Sequence, residues 1–345
     1  MLENNERTEL SQLGEFGLID KIKQGVELRQ KSSFKGIGDD AAVIGTDKKK
    51  TLVTTDMLME GIHFDLSYVP LKHLGYKAVV VNLSDIYAMN GKPTQITVSI
   101  GLSSRFSLEA VDELYTGILL ACEKYNVDLV GGDTTSSLSG LTISVTAIGE
   151  AEEDSIVYRN GAKETDLICV SGDLGAAFLG LQLLEREKKI FKENPEIQPD
   201  LSGHDYVLER QLKPEARAEI IDILELEKVK PTAMLDISDG LSSDIMHICT
   251  QSEVGCRIYI DKIPVDHTTG IAAEELNLDP TTAALNGGED YELLFTVDIK
   301  DYERIKDNPA IRVIGHITEK SDGYNLVAGE QIIELQAQGW NHLEK

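Results

Sequence analysis

The sequence predicts an α/β protein of the α+β kind, made of two domains. The chain has 345 residues, which is enough for two domains of ordinary size, each with its own core. Strand-like and helix-like segments alternate, but there are few helices per strand, which favours an α+β arrangement over a doubly wound sheet. A polar break at residues 150–163 divides the chain. We therefore predict domains at residues 1–150 and 151–345.

The first predicted elements are two short strands and a long helix. Residues 36–46 and 51–56 have strand patterns and flank the polar turn TDKKK. Residues 71–89 are predicted to be helical, because Leu74 and Ala78 begin an apolar stripe at helical spacing. The sequence NGKP that follows is typical of a helix end.

A strand, a second helix and two more strands complete the predicted first domain. The strand is TQITVSIGL, and the helix runs from about Ser107 to Tyr125. Ser107 is a suitable N-cap residue for that helix. The last two strands are predicted to lie on either side of the segment GGDTTSS.

The predicted second domain begins with a strand, a glycine turn and a helix in TDLICVSGDLGAAFLGLQLLEREKK. Residues 187–205 form a polar loop in this interpretation, and PEARAEIIDILELEK forms the next helix. The Asp-rich segment LDISDGLSSDIMHIC follows, and then come strands in CRIYIDKI and in GGEDYELLFTVD.

The composition is that of a soluble globular protein, with 41% hydrophobic and 27% charged residues. A formal net charge of −26 argues against nucleic acid as a partner, because phosphate contacts need clustered Lys and Arg. No apolar stretch approaches the length that spans a bilayer, and the acidic N-terminal segment lacks a signal-peptide pattern. The four cysteines show no C-x-x-C spacing. We expect a cytoplasmic protein with reduced thiols and no membrane partner.

Six acidic segments recur along the chain. They are GIGDDAAVI, TTDMLMEGIHF, NLSDIYAMNGKP, GGDTTSS, LDISDGLSSDI and NGGEDYELLF. Any one of them alone is better interpreted as a loop, since Gly and Asp both favour turns. A P-loop motif and the protein-kinase motif set are absent. Carboxylate and hydroxyl oxygens suit Mg²⁺, whose coordination substrate phosphates complete. The repetition therefore favours a site where cations hold a phosphate-bearing small molecule.

Five oxygen-bearing residues of the first domain are candidate metal ligands. Asp40 lies in a glycine turn, where it can approach a metal without steric hindrance. Thr54, Thr55 and Asp56 lie at a predicted strand end. Asp85 follows the apolar stripe of the predicted helix by one turn, so the helix would carry it inward, where a buried carboxylate needs a cation. The alternative for Asp85 is a partly exposed helix residue.

Further candidates lie in the fourth and fifth segments. Asp133 follows two glycines that end at Gly132, and backbone amides at such a strand end could close on a phosphate. Asp236 and Asp239 are three residues apart and would share a helix face if the helix begins there. Ser238 could donate to a phosphate or cap the helix. Simple N-capping is the alternative for this segment.

Three single residues have less specific signals. Arg159 lies in the polar break, where it is either a solvated surface residue or a phosphate clamp, which guanidinium geometry suits. His63 is more commonly structural, and Trp340 could simply pack the C-terminal segment.

Together, and in this order, the six segments resemble those of thiamine-monophosphate kinases. This family belongs to the superfamily of aminoimidazole ribonucleotide synthetase, selenophosphate synthetase and the hydrogenase-maturation dehydratase. The resemblance runs from GEFGLI to GW near the end, nearly the whole chain. A selenophosphate synthetase would carry a reactive Cys near its start, whereas the first Cys here is Cys122. A hydrogenase-maturation enzyme would end in Cys, whereas this chain ends in NHLEK.

The resemblance implies an aminoimidazole ribonucleotide synthetase-like fold whose N-terminal sheets pair across a homodimer, with ATP held between two domains. It implies direct in-line transfer from ATP to thiamine phosphate, giving thiamine diphosphate, with several Mg²⁺ ions and no side-chain nucleophile. The implied metal ligands are Asp40, Thr54, Thr55, Asp56, Asp85, Asp133, Asp236 and Asp239. The implied ATP contacts are Tyr125, Gly132, Asp133, Arg159 and Ser238. The implied thiamine phosphate contacts are His63, Glu289 and Trp340.

Two alternatives remain open from the sequence. One is an ATP-dependent ligase-like member of the superfamily that acts on a ribonucleotide amide. The other is a non-catalytic acidic protein that binds divalent cations. Release of ADP that requires both Mg²⁺ and thiamine phosphate would separate these alternatives from the kinase.

Overall fold

The protein, seen here as a computed structural model that describes residues 14–26 and 28–336, consists of two halves, each with its own sheet. The elements of the first half are α1 (Gly14–Gly25), β1 (Ser33–Lys35), β2 (Ala42–Ile44), β3 (Lys49–Met59), α2 (Leu71–Ala88), β4 (Lys92–Leu102), α3 (Leu108–Tyr125), β5 (Asp128–Ser136) and β6 (Leu141–Glu152). Those of the second half are β7 (Leu167–Ser171), α4 (Ala176–Glu193), α5 (Asp205–Leu212), α6 (Ala218–Leu226), β8 (Ala233–Asp236), α7 (Leu241–Ser252), β9 (Gly255–Tyr259), α8 (His267–Leu276), α9 (Pro280–Asn286), β10 (Leu293–Val297), α10 (Tyr302–Ile305), β11 (Ile311–Thr318), β12 (Tyr324–Ala328) and β13 (Gln331–Glu334).

The first sheet has six strands in the order β1-β2-β3-β6-β4-β5. All neighbouring pairs are antiparallel except β4 and β5, which are parallel. Buried residues alternate with half-buried ones along most of β6, as expected for a strand with only one face in a core. Strand β5 is one of the two edge strands, and most of its residues are exposed.

Helices α2 and α3 pack closely against one another. A side-chain carbon added at Gly75 would overlap the backbone carbonyl of Leu114, and one added at Gly117 would overlap that of Lys72. The two glycines therefore let the helix backbones approach. Helix α2 is buried along most of its length and carries the apolar run AVVV, which explains its nearly continuous apolar character.

The second sheet has seven strands in the order β13-β12-β9-β11-β7-β10-β8, with only β12 and β9 parallel. Its central strands β7 and β10 are almost fully buried. Helices cover this sheet as well, so the mixed sheets and their helices confirm the predicted α+β class. No helix in the described part of the chain is long and apolar enough to cross a membrane.

A half-buried carboxylate, Glu215, joins the two halves. The hydroxyls of Tyr76 and Tyr125 each donate to its Oε2 atom over 2.6 Å. Lys124 pairs with the same oxygen at 2.7 Å, and Lys213 donates to Oε1 at 2.9 Å. Burial raises the pKa of Glu215, but these donors outweigh it and lower the pKa to about 2. Glu215 is therefore ionised and links α2 and α3 to the second half.

Several predicted elements are confirmed, and others need correction. The first long helix ends at Ala88, one residue before the predicted end, and the Ser107 hydroxyl accepts from the Ala110 amide as an N-cap. The predicted pair of strands around GGDTTSS is wrong, because GGDTTS lies inside β5. The predicted loop at 187–205 is shorter, because α4 continues to Glu193. The helix predicted in PEARAEIIDILELEK begins only at Ala218.

Candidate active site

An open cleft of about 1340 Å³ is lined by both halves of the chain. The first half contributes the glycine turn before β2, the end of β3 and the inner face of α2. The second half contributes α4, the segment after β8 and the turn at residues 287–291. A cleft of this size can hold a nucleotide and a second small molecule.

Three carboxylates from three different elements meet at this cleft. Asp40 follows the glycine turn, Asp85 lies in the last turn of α2, and Asp236 is the last residue of β8. Each offers an oxygen within 4.8 Å of the other two. The segments that carry them are far apart in the chain, so the tertiary fold creates the cluster.

Crowding raises the pKa of these carboxyl groups. Burial is the main cause at Asp85, and the charges of Asp56, Asp236 and Asp40 raise its pKa further. Burial and the charge of Asp40 raise the pKa of Asp236 to about 7. Burial raises the pKa of Asp56 to about 6. The site is therefore short of positive charge.

The donor set fits a hard divalent cation. The Oδ2 atom of Asp40 is buried and has no hydrogen-bond partner among the residues that the structure describes. Thr54 donates to Asp85 over 2.6 Å, and Ser84 donates to Asp236 over 2.5 Å, so these two carboxylates are held in place. Closely spaced carboxylate oxygens are the ligands that Mg²⁺ and Ca²⁺ prefer.

Arg159 is the cation nearest this cluster in the observed contacts. Its Nη2 atom lies 2.6 Å from Asp40 Oδ1, and its side chain is 23% exposed. It also lines the cleft. A solvated surface Arg does not describe this environment, and the guanidinium can contact a phosphate bound beside the carboxylates.

Thr54, Thr55 and Asp56 lie within β3 and not at its end, because the strand continues to Met59. The predicted strand end is therefore wrong, and the three side chains have different environments. All three residues line the cleft, and Asp56 is half-buried. Thr54 faces the carboxylate cluster. The Thr55 hydroxyl instead donates to the Val145 carbonyl on the next strand. The alternation of side chains along a strand explains the difference, since Thr55 lies on the opposite face of the sheet.

Other predicted site residues also line the cleft, namely His63, Ser238, Asp239 and Glu289. Asp236 and Asp239 do not share a helix face, which corrects that prediction. The helix begins only at Leu241, after Gly240 adopts a positive φ of 114°. Trp340 lies outside the described residues.

Tyr125, Gly132 and Asp133 do not line the cleft of this chain. The Tyr125 hydroxyl binds Glu215, and Gly132 and Asp133 lie within the exposed edge strand β5. The prediction that the two glycines lie at a strand end is wrong, because both lie inside β5. A side-chain carbon at Gly132 would overlap the carbonyl of Val98, so this glycine permits close pairing of β4 and β5.

Three residues at the site have no part in the sequence-based prediction. Asp39 accepts from Lys35 and from the Arg159 backbone, so it holds the segment that carries the guanidinium. Its position beside Asp40 was the only available signal. Gln211 and Lys188 also line the cleft, and no motif marks either of them.

We expect the stability of the metal-free protein to fall as pH rises from about 4 to 7. The folded-state pKa of Asp236 is about 7 against an ordinary value of 3.8. The folded protein therefore binds the proton more tightly than the unfolded chain does. Its contribution to stability is complete below the ordinary pKa and is lost as pH rises through the folded value.

Thermal unfolding in EDTA at several pH values checks this expectation. The melting temperature should fall by several degrees, and Asp236→Asn should reduce the slope. A variant with the slope of the wild type would contradict this effect of Asp236.

Two family descriptions match the chain. "AIR synthase related protein, N-terminal domain" matches residues 38–151, and "AIR synthase related protein, C-terminal domain" matches residues 162–325. The two-sheet fold with carboxylates meeting at a shared cleft thus defines a member of the AIR synthase related class.

Similar curated proteins show which family within this class the chain belongs to. A thiamine-monophosphate kinase of Buchnera aphidicola subsp. Schizaphis graminum is 38% identical over 339 residues, covering 95% of this chain and 98% of the relative. That of Aquifex aeolicus is 37% identical, covering 96% and 99%. A solved structure described as AaThiL complexed with AMPPCP and TMP matches with a TM-score of 0.83 and 35% identity, covering 98% and 100%. The chain belongs to the thiamine-monophosphate kinase family.

Proposed function

We propose that this protein transfers the γ-phosphoryl group of ATP to thiamine phosphate, forming thiamine diphosphate and ADP. The cluster of Asp40, Asp85 and Asp236 beside Arg159 is the observation that carries the proposal. The AaThiL relative was solved with AMPPCP and TMP, which supports an ATP-like molecule and thiamine phosphate as the substrates here. The four cysteines are unpaired and buried, which fits a cytoplasmic location.

The electrostatics of the cleft suit phosphoryl transfer between two phosphates. Both substrates are anionic and repel one another, and the cleft itself is acidic. Asp40, Asp85 and Asp236 would hold Mg²⁺, which when bound neutralises phosphate charge. Arg159 is placed to contact a phosphate from the same side as Asp40. When both substrates are held in line, the phosphoryl group can pass directly between them, and no covalent intermediate on the protein is needed.

An assay of ADP release with three candidate acceptors tests the proposal. ATP and Mg²⁺ are supplied with thiamine, with thiamine phosphate or with a ribonucleotide amide precursor of aminoimidazole ribonucleotide. We expect ADP only with thiamine phosphate, in a reaction that EDTA abolishes. ADP release with the ribonucleotide amide instead would identify a ligase-like activity, and release with none of the three would favour a cation-binding protein.

Trp340 should form part of the thiamine phosphate site. Trp340→Ala should raise the KM for thiamine phosphate roughly 10-fold, since an aromatic ring contributes a cation–π contact to a thiazolium. The KM for ATP should change little, and Trp340→Phe should restore part of the loss. Because Trp340 is the only Trp, its emission should respond to thiamine phosphate. Unchanged emission at saturating substrate would place it away from the site.

We further propose a homodimer that pairs through the first sheet. Strand β5 is an exposed edge strand, and unpaired edge strands tend to be covered. Val130 on this strand is 58% exposed, and Leu138 just after it is fully exposed. Gly132 and Asp133 lie on the same strand, so a second copy could bring them to a cleft that their own chain does not reach.

Light scattering at micromolar concentration should give twice the mass of the chain. A fragment of residues 1–150 should also dimerise if this half carries the interface. Val130→Asp should weaken the dimer, whereas Ile332→Asp on the exposed strand β13 should leave it intact. A monomeric mass for the wild type would rule out the dimer.

A further inference from the structure

Three polar residues form a closed set of contacts at the wall of the cleft, and two of them, Gln211 and Glu289, line it. Lys77 Nζ lies 3.1 Å from Glu289 Oε1 and donates to the Gln211 backbone carbonyl over 3.0 Å. Gln211 Nε2 donates to Glu289 Oε2 over 3.0 Å. The residues come from α2, from α5 and from the turn before β10. Each oxygen of the Glu289 carboxylate thus has its own donor.

Because these groups are buried, their charge and their hydrogen bonds must be satisfied within the protein. Lys77 is 6% exposed and Gln211 is 5% exposed, so a cation and an amide are held away from water. A buried ammonium requires a counterion, and Glu289 supplies it. Glu289 itself has a left-handed backbone with φ of 57°, and its amide donates to the Ser238 carbonyl over 2.7 Å. Its side chain retains 30% exposure and lines the cleft.

The orientation of the Gln211 amide follows from this pairing. A carboxylate only accepts hydrogen bonds, so the NH₂ group of Gln211 must face Glu289. The Oε1 atom is then left as an acceptor, and it is buried without a hydrogen-bond partner in the described part of the chain. Gln211 lines the cleft beside Glu289 and near Tyr68. A free acceptor next to a carboxylate suits a ligand that presents an amino group on a flat ring.

We propose that Gln211 and Glu289 together bind the amino group of the substrate's pyrimidine ring, and that Lys77 positions Glu289 for this contact. The inference rests on the proposed function, because thiamine phosphate supplies the aminopyrimidine. Gln211 is then a specificity-determining residue, and Lys77 is a positioning residue. An orphaned buried acceptor strongly disfavours a ligand that lacks the matching donor.

The wild-type enzyme provides the first test. It is assayed with thiamine phosphate and with the analogue in which a carbonyl oxygen replaces the pyrimidine amino group. We expect kcat/KM to be roughly 100-fold or more lower for the analogue, because a carbonyl oxygen would face two acceptors. Equal kcat/KM values for thiamine phosphate and for the analogue would overturn the inference. No ADP release with thiamine phosphate would instead overturn the proposed function.

Two variants and a matched control provide the second test. Gln211→Met keeps the side-chain size. It should reduce the difference in kcat/KM between thiamine phosphate and the analogue to about 10-fold or less, with the KM for ATP unchanged. Lys77→Met should raise the KM for thiamine phosphate with little effect on kcat. Lys72→Met, on the exposed face of the same helix, should behave as wild type.

Circular dichroism establishes whether each variant is folded. A folded Gln211→Met enzyme with full discrimination would overturn the role of its amide. A folded Lys77→Met enzyme with an unchanged KM would overturn the positioning role. If a variant does not fold, the comparison of thiamine phosphate with its analogue in the wild-type enzyme still decides whether the amino group is recognised.

Discussion

Asp85→Asn should lower turnover by several orders of magnitude while the protein remains folded. Asp85 is half-buried and lies among like charges that raise its pKa, so removing its charge relieves repulsion in the metal-free protein. The melting temperature in EDTA should therefore stay the same or rise. Turnover should fall because a catalytic cation supplies several kcal/mol of transition-state stabilisation. Steady-state kinetics across Mg²⁺ concentrations measure the loss.

Higher Mg²⁺ should restore part of the rate if the defect lies in metal affinity. Asp112→Asn provides a matched control, since it is the same change on an exposed position of α3. It should leave turnover and magnesium dependence unchanged. Normal turnover in Asp85→Asn would remove Asp85 from the metal site and return it to an ordinary polar helix residue.

Gly117→Ala should destabilise the first half of the protein by roughly 3 kcal/mol, because overpacking at a backbone contact forces helices apart. The added methyl group would overlap the carbonyl of Lys72 on α2. Neither backbone can move without disturbing the packing of α2 on its sheet. Denaturant unfolding followed by circular dichroism measures the change.

Gly270→Ala is the matched control for this effect. Gly270 lies within α8, and a methyl group there would have no atom within 4 Å. The substitution should stabilise the protein by up to about 1 kcal/mol, since alanine favours helix and restricts the unfolded chain. Equal effects of the two substitutions would show that helix propensity, and not the contact between α2 and α3, governs Gly117.

The sequence predicted the carboxylate cluster better than it predicted the rest of the site. Asp40 lies in a glycine turn and Asp85 follows an apolar stripe, so each of them has a local signal. Asp236 was predicted from its spacing to Asp239 on a helix face, and that face does not exist because the helix begins only at Leu241. Their convergence follows from the fold, and the structure places them within 4.8 Å of one another. The six segments in order supported the shared site even though each of them alone was weak.

Residues whose role depends on long-range pairing could not be predicted. One example is the set of contacts among Lys77, Gln211 and Glu289, which are separated by 78 or more positions along the chain. In addition, a lone Lys or Gln forms no recognisable sequence pattern. The error at Asp133 has a different cause. A run of Gly, Asp and Thr is typical of a loop, but pairing with β4 holds it as a strand.

If Glu289 binds the ring as proposed above, helix α2 also sets the length that an acceptor molecule needs. Lys77, which holds Glu289, and Asp85, in the carboxylate cluster, lie eight residues apart on this one rigid helix. At a rise of 1.5 Å per residue, the two positions are separated by about 12 Å along the axis. In this binding mode, an acceptor reaches from its ring beside Glu289 to its phosphate beside the carboxylate cluster. The phosphorylated thiazole fragment alone is too short to do so, and thiamine diphosphate carries its terminal phosphate too far. We therefore expect both to be poor acceptors at saturating ATP, and efficient phosphorylation of either would show that the helix does not select acceptors by length.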